Sequence, residues 1–149
     1  MAETSLQTSG VALLLITLLI ASVTDLRSRI IPNWLVAMAA LAGLLLAAGR
    51  GDLGPALLAG SLAAAPFLAA ALIRPESMGM GDVKLVAVLG IFLGQPVWGA
   101  LAAGLALAGI WGLVLGIWRS QAISGVALPL APFLAAGVAT SLVTSQMLQ

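Results

Sequence analysis

The sequence predicts an all-α membrane protein, a bundle of about six transmembrane helices in a single domain over residues 1–149. Hydrophobic residues make up 62% of the chain and charged residues 7%, whereas roughly a quarter of the residues in a soluble domain are charged. The apolar runs are continuous and lack the strict alternation of barrel strands. A net charge of +1 offers no broad basic surface, so nucleic acid is not expected as a partner.

Six apolar runs follow one another along the chain, at residues 10–24, 34–48, 55–73, 83–93, 97–118 and 126–143. No basic segment precedes the first run and no small-residue cleavage site follows it, which predicts a retained span and not a removed signal peptide. Pro32 interrupts the helix before the second run. Trp34 begins that run and suits a membrane interface.

The fourth run, residues 83–93, is too short to cross a membrane alone, because a span needs about 20 helical residues. Either the helix continues through Gly94-Gln95-Pro96, or the glycine turn before the run lies below the membrane surface. Irregular backbone at that depth must be buried in protein or face a water-filled cavity. Both alternatives favour a site that lies within the leaflet on one side of the membrane.

The basic residues predict the orientation of the bundle. The connections after the first, third and fifth runs hold five of them, Arg27, Arg29, Arg74, Lys84 and Arg119. The opposite side holds only Arg50. This bias predicts a multi-pass protein of the cytoplasmic membrane with both termini outside. Asp25 and Asp82 then lie on the same, cytoplasmic, side.

The residue types that are missing from the sequence limit its chemistry. Cys, His and Tyr are all absent, which excludes thiol catalysis, Cys or His metal sites and Ser–His chemistry. No metal or cofactor is therefore expected, and acid–base work falls to carboxylates. The chain has five of these: Glu3, Asp25, Asp52, Glu76 and Asp82. Glu3 lies in a polar tail, while Asp52 and Glu76 share polar loops with arginines, so all three are interpreted as solvated.

Asp25 and Asp82 remain as the candidate pair. Asp25 ends the first apolar run, and helix C-termini disfavour negative charge, so capping does not explain it. Asp82 follows Gly79-Met80-Gly81, where it could cap the next helix. Two carboxylates can share one proton, one acting as base on water and the other as acid. The two helix ends predict that Asp25 holds this proton and Asp82 is the anion.

Two motifs resemble a known family. The segments DLRSRIIPN at residues 25–33 and GMGDVKL at residues 79–85 together are similar to the type IV prepilin peptidases, which are membrane aspartic proteases with a Gly-x-Gly-Asp motif. The stretch LPLAPFL at residues 128–134 resembles the last helix of that family more weakly.

The resemblance implies that Asp25 and Asp82 are the catalytic pair, with backbone support from Gly79 and Gly81. It also implies removal of the leader peptide from prepilins or pseudopilins at the cytoplasmic face of a bacterial or archaeal membrane, with lipids around the chain. Other residues of the two motifs are candidate accessory residues: Lys84, Arg27, Arg29, Pro32 and Asn33.

One departure and two alternatives stay open. Larger members of the family carry an extra cytoplasmic segment, often with paired zinc-binding cysteines, and methylate the new N-terminus. This chain resembles the short, peptidase-only form found with tight-adherence pili, so no N-methyltransferase activity is expected. A small ion- or proton-coupled transporter, or a pilus-assembly subunit, could instead use the two Asp residues to bind a cation. A purely structural membrane subunit is the other alternative.

Overall fold

The computed structural model describes residues 2–73, 78–119 and 129–147. Within these ranges the chain forms six α-helices and no strand, which confirms the predicted all-α class. The helices are α1 (Ala2–Ser28), α2 (Asn33–Arg50), α3 (Leu53–Ile73), α4 (Met80–Leu93), α5 (Val97–Arg119) and α6 (Ala131–Met147). Arg74 and Glu76, and the start of the predicted sixth run up to Leu128, lie outside the described residues.

Among the described residues, four helical segments are long and apolar enough to cross a membrane: Ser9–Ser28, Asn33–Arg50, Leu53–Ile73 and Val97–Trp118. The apolar part of α6, Ala131–Thr144, is shorter. With 14 residues, α4 is about 21 Å long, against a hydrocarbon core of about 30 Å. Large apolar side chains such as Leu72 and Trp118 point outward, as lipid contact requires. The chain is a multi-pass membrane protein, and α4 and the apolar part of α6 are the short helical segments of its described part.

The loop after α4 answers the question that the short fourth run left open. Helix α4 ends at Leu93, and Gly94 follows with φ 61° and ψ −131°. The N–H of Val97 then donates to the carbonyl oxygen of Gly94 at 3.1 Å, at the point where α5 begins. Gly94-Gln95-Pro96 is therefore a turn between two helices and not a kink within one span.

Helix α4 lies at the centre of the bundle. It packs most extensively against α3, then against α2, and it also contacts α1 and α5. Leu85, Val86 and Leu89 are fully buried in these contacts. A Cβ atom added to Gly90 would lie 2.6 Å from the Cα atom of Gly60 on α3, so the two backbones meet where only glycine fits. This packing holds the first turn of α4 in a fixed position.

Helix α6 is held against α5 in the same way. A Cβ atom on Gly137 would collide with the backbone of Ala100 and Gly104. Helix α6 also packs on α1. As a result, the end of α1 and the starts of α2, α4 and α6 meet at one end of the bundle.

Candidate active site

Asp25 lies in the last turns of α1 and is 7% exposed. Its Oδ2 atom accepts a hydrogen bond of 3.1 Å from the backbone N–H of Ala131, the first residue of α6. The first N–H groups of a helix have no partner within the helix, so a carboxylate is a suitable acceptor for them. Asp25 therefore ties the end of α1 to the start of α6.

The link between α1 and α2 forms one wall of the site. Arg29 has a left-handed φ of 53°, and its N–H donates to the carbonyl oxygen of Asp25 at 2.9 Å, which ends the helix. Ile31 is buried, and Pro32 precedes α2 with φ −62°. The turn at Arg29 and the proline thus redirect the chain tightly around Asp25.

Helix α4 begins at the Gly-Met-Gly-Asp motif. The N–H of Asp82 donates to the carbonyl oxygen of Gly79 at 3.1 Å, and Gly79 lies just before the first helical residue. In return, a backbone hydrogen bond from Gly79 reaches the Asp82 carboxylate. Asp82 therefore takes part in capping its own helix, the role that its position after Gly79-Met80-Gly81 also allowed in the sequence.

The two glycines of the motif have different surroundings. A Cβ atom at Gly81 would lie 3.1 Å from the Cβ atom of Ile31, tighter than ordinary contact. A Cβ atom at Gly79 would have its nearest neighbour at 3.7 Å, an Asp82 carboxylate oxygen, which is ordinary contact. Neither is among the positive-φ glycines of the described chain, which are Gly51 and Gly94. Only Gly81 is required for a close approach, that of α4 to the α1–α2 link.

Both candidate carboxylates line one pocket of about 290 Å³. Since a water molecule occupies about 30 Å³ in the liquid, the pocket has room for several waters or a short length of peptide. The residues lining it are Asp25, Arg29, Ile30, Ile31, Asn33, Gly79, Met80, Gly81, Asp82 and Lys84. Of the residues that the sequence singled out, Arg27 and Pro32 are not part of this lining.

The Asp82 carboxyl group lies in the first turn of α4, outside the four spanning segments. Burial is the main cause that raises the pKa of Asp82 from 3.8 to about 6; the charge of Asp25 adds to the rise, and the hydrogen bond from Gly79 opposes it. The helix ends predicted a stabilised Asp82 anion, and that prediction is wrong. The N-terminal dipole of α4 is outweighed by desolvation and by the second carboxylate.

A second contact joins two residues that line the pocket. The Nζ atom of Lys84 donates to Oδ1 of Asn33 at 2.9 Å, which links α4 to the first residue of α2. Within the described residues, no group of three or more His, Cys, Asp or Glu side chains could hold a metal ion. The polar groups of the pocket are thus two carboxylates with three nitrogen-bearing side chains, those of Arg29, Asn33 and Lys84.

The sequence did not predict two contacts of the site, that of Ala131 with Asp25 and that of Ile31 with Gly81. The N–H of Ala131 was not predicted as a partner, because the apolar run begins at residue 126, upstream of the start of α6. Pro132, in the first turn of α6, is the signal that could have located this helix start. Ile31 escaped notice because the spacing of residues along the chain does not report its contact with Gly81.

Comparisons with known proteins relate the sequence of this chain to one family. The model of the type IV leader peptidase family matches residues 12–144. Two proteins named prepilin leader peptidase/N-methyltransferase, from Burkholderia pseudomallei strains 1026b and K96243, are each 41% identical to this chain over 70 residues. That stretch covers 45% of this chain but only 22% of each relative. No solved structure matches the chain.

Proposed function

This chain belongs to the type IV leader peptidase family, and we propose that it is an aspartic endopeptidase in which Asp25 and Asp82 together activate water. The observation that carries the proposal is the shared pocket: two carboxylates from different helices line it, and burial and Asp25 raise the pKa of Asp82 to about 6. A carboxyl pair needs neither metal nor His to hydrolyse a peptide bond.

The substrate is the leader segment of a prepilin or a prepilin-like protein. Support comes from the family and from the two relatives, whose names state prepilin leader cleavage. N-methylation, the second activity in those names, is not assigned to this chain, because the matched stretch covers 22% of each relative.

Hydrolysis proceeds in two stages on the pair. One carboxylate accepts a proton from water as the water oxygen attacks the carbonyl carbon, and the other carboxyl group protonates the carbonyl oxygen. The tetrahedral intermediate then collapses: the C–N bond breaks, the first carboxyl group gives its proton to the leaving amine, and the second carboxylate takes a proton back from one hydroxyl group of the intermediate, which becomes the new carboxyl group. The pair begins and ends each cycle with one proton.

Asp82 is the member that carries this proton before attack, and Asp25 is the base. Oδ2 of Asp25 already accepts a hydrogen bond from the N–H of Ala131. Burial and the charge of Asp25 raise the pKa of Asp82 to about 6, so its proton is exchanged close to neutral pH. Activity should accordingly fall as pH rises through this pKa.

The pocket faces the cytoplasm. Arg27, Arg29 and Lys84 lie at the pocket end of the bundle, and Arg50 ends α2 at the opposite end. Positive residues concentrate on the cytoplasmic side of membrane proteins. Both chain termini lie outside in this arrangement.

A cleavage assay with the purified full chain in detergent and a prepilin tests the proposal. A single cut that releases the leader, measured by mass spectrometry, is the expected result. An intact prepilin, together with proton or cation flux through the protein in proteoliposomes, would contradict the peptidase proposal and favour the transporter alternative.

A further inference from the structure

A second cavity adjoins the candidate active site. It lies between α2 and α4 and has a volume of about 460 Å³. Asn33 and Lys84 line both this cavity and the pocket that holds Asp25 and Asp82. The two spaces are therefore neighbours, and the hydrogen-bonded pair of Lys84 and Asn33 lines both of them.

Apart from these two residues, the second cavity is apolar. Its other lining residues are Val36, Ala37, Ala40, Ala87, Val88 and Ile91. Ala37 is exposed, and Ala40 and Ala87 are half-buried, so small side chains leave the surface between the two helices open. We call this surface the α2–α4 groove. Its α2 wall, from Asn33 to Ala40, is about 10 Å long, enough for about three extended residues.

The two residues that line both spaces carry hydrogen-bond donors. A Lys ammonium group can only donate, so its partner on Asn33 is the carbonyl oxygen Oδ1. The Nδ2 group of Asn33 keeps two N–H donors for another acceptor. A main-chain carbonyl group is the acceptor that every residue of a peptide carries.

We propose that the α2–α4 groove binds the apolar segment of the substrate that adjoins the scissile bond, with Asn33 holding a main-chain carbonyl where the peptide passes from the pocket into the groove. The inference rests on the proposed function, because it requires a peptide bond between Asp25 and Asp82. The lining residues that the two spaces share, and the donors that these residues carry, favour a peptide, which has a carbonyl acceptor at every residue, over the hydrocarbon tail of a lipid, which has none.

Filling the groove tests the proposal through substrate affinity. Ala37→Leu should raise KM for a prepilin about tenfold and leave kcat unchanged, since the added side chain excludes substrate without touching the carboxyl pair. Ala102→Leu, at an exposed alanine of α5, is the matched control and should leave both constants unchanged. An unchanged KM in Ala37→Leu, or an equal loss of kcat, would overturn the proposal.

Disulfide mapping tests the same contact without relying on kinetics. The chain has no Cys, so Ala40→Cys provides a single thiol on the groove in an Asp25→Asn background that keeps the prepilin uncut. Oxidation should join it to a cysteine placed within about three residues of the scissile bond, but not to one placed farther away. Ala102→Cys should form no such bond. Equal bonding from both positions, or none from Ala40→Cys, would contradict the proposal.

Cleavage by the wild-type chain distinguishes a failure of the groove proposal from a failure of the proposed function. Cleavage of the prepilin by the wild type, with no groove effect in either experiment, rejects the groove and leaves the peptidase assignment in place. A wild type that never cuts the prepilin rejects the proposed function itself.

Discussion

Asp82 is the residue whose titration reports most directly on the candidate site. Burial and the charge of Asp25 raise its pKa to about 6, so removing that charge should lower it. We expect the Asp82 carboxyl group to titrate at lower pH in Asp25→Asn than in the wild type, in a carboxyl-specific infrared titration.

The control for this titration is Asp52→Asn, which removes an exposed carboxylate in the connection between α2 and α3. It should leave the Asp82 signal unchanged. An Asp82 carboxyl group that titrates at the same or higher pH in Asp25→Asn would mean that the two groups do not interact.

The glycines of the motif should differ in their tolerance of substitution. Gly81→Val forces the new side chain against Ile31, whose Cβ atom would be 3.1 Å from the added Cβ atom. Overpacking of this kind costs about 1–3 kcal/mol, so we expect lower thermal stability and reduced cleavage. Gly79→Val meets only ordinary contacts and should be milder, and Met80→Leu milder still. Equal effects at residues 79 and 81 would contradict the contact with Ile31.

At the scale of elements, the start of α6 contributes directly to the site. Ala131→Pro removes the N–H group that binds Asp25, at a first helical position where proline is otherwise tolerated. Losing the donor should cost about 1–3 kcal/mol in the stability of the folded chain and reduce cleavage.

A double-mutant cycle isolates this hydrogen bond. In an Asp25→Ala background, which lacks the acceptor, Ala131→Pro should destabilise the chain less than it does alone, as measured by thermal unfolding in detergent. Fully additive costs would show that proline acts by steric strain and that the hydrogen bond contributes nothing.

The sequence predicted the elements well but not how they meet. Apolar runs located six helices, and the glycine turn located the start of α4 within three residues of the predicted run. Whether Gly94-Gln95-Pro96 was a turn or a kink could not be predicted, because Pro96 is compatible with both. The start of α6 was also missed, since apolar residues upstream of Ala131 obscure the point where helical hydrogen bonding begins.

For the candidate site, the chain could supply residue types but not distances. Charge elimination selected Asp25 and Asp82, and the structure brings both into one pocket. The helix dipole predicted a stabilised Asp82 anion, whereas burial and the charge of Asp25 raise the pKa of Asp82. Burial and the donor from α6 depend on tertiary packing, which a single sequence does not display.

At the scale of the whole molecule, the distribution of positive charge predicts the orientation in the membrane. A single cysteine at Gly54, near the start of α3, should react with a membrane-impermeant maleimide in intact spheroplasts, whereas one at Ser28, at the pocket end, should not. Both should react after detergent is added. The reverse labelling pattern would place the pocket outside the cytoplasm.

The most direct test of the central claim is the rate of leader cleavage by purified Asp25→Asn and Asp82→Asn, with Asp52→Asn as the control. Each replacement within the pair should slow cleavage about 100-fold or more, because a lone carboxyl group cannot supply both acid and base. Asp52→Asn should cleave at the wild-type rate, since Asp52 is exposed in the α2–α3 connection. Cleavage at the wild-type rate by a correctly folded Asp25→Asn or Asp82→Asn would contradict the account.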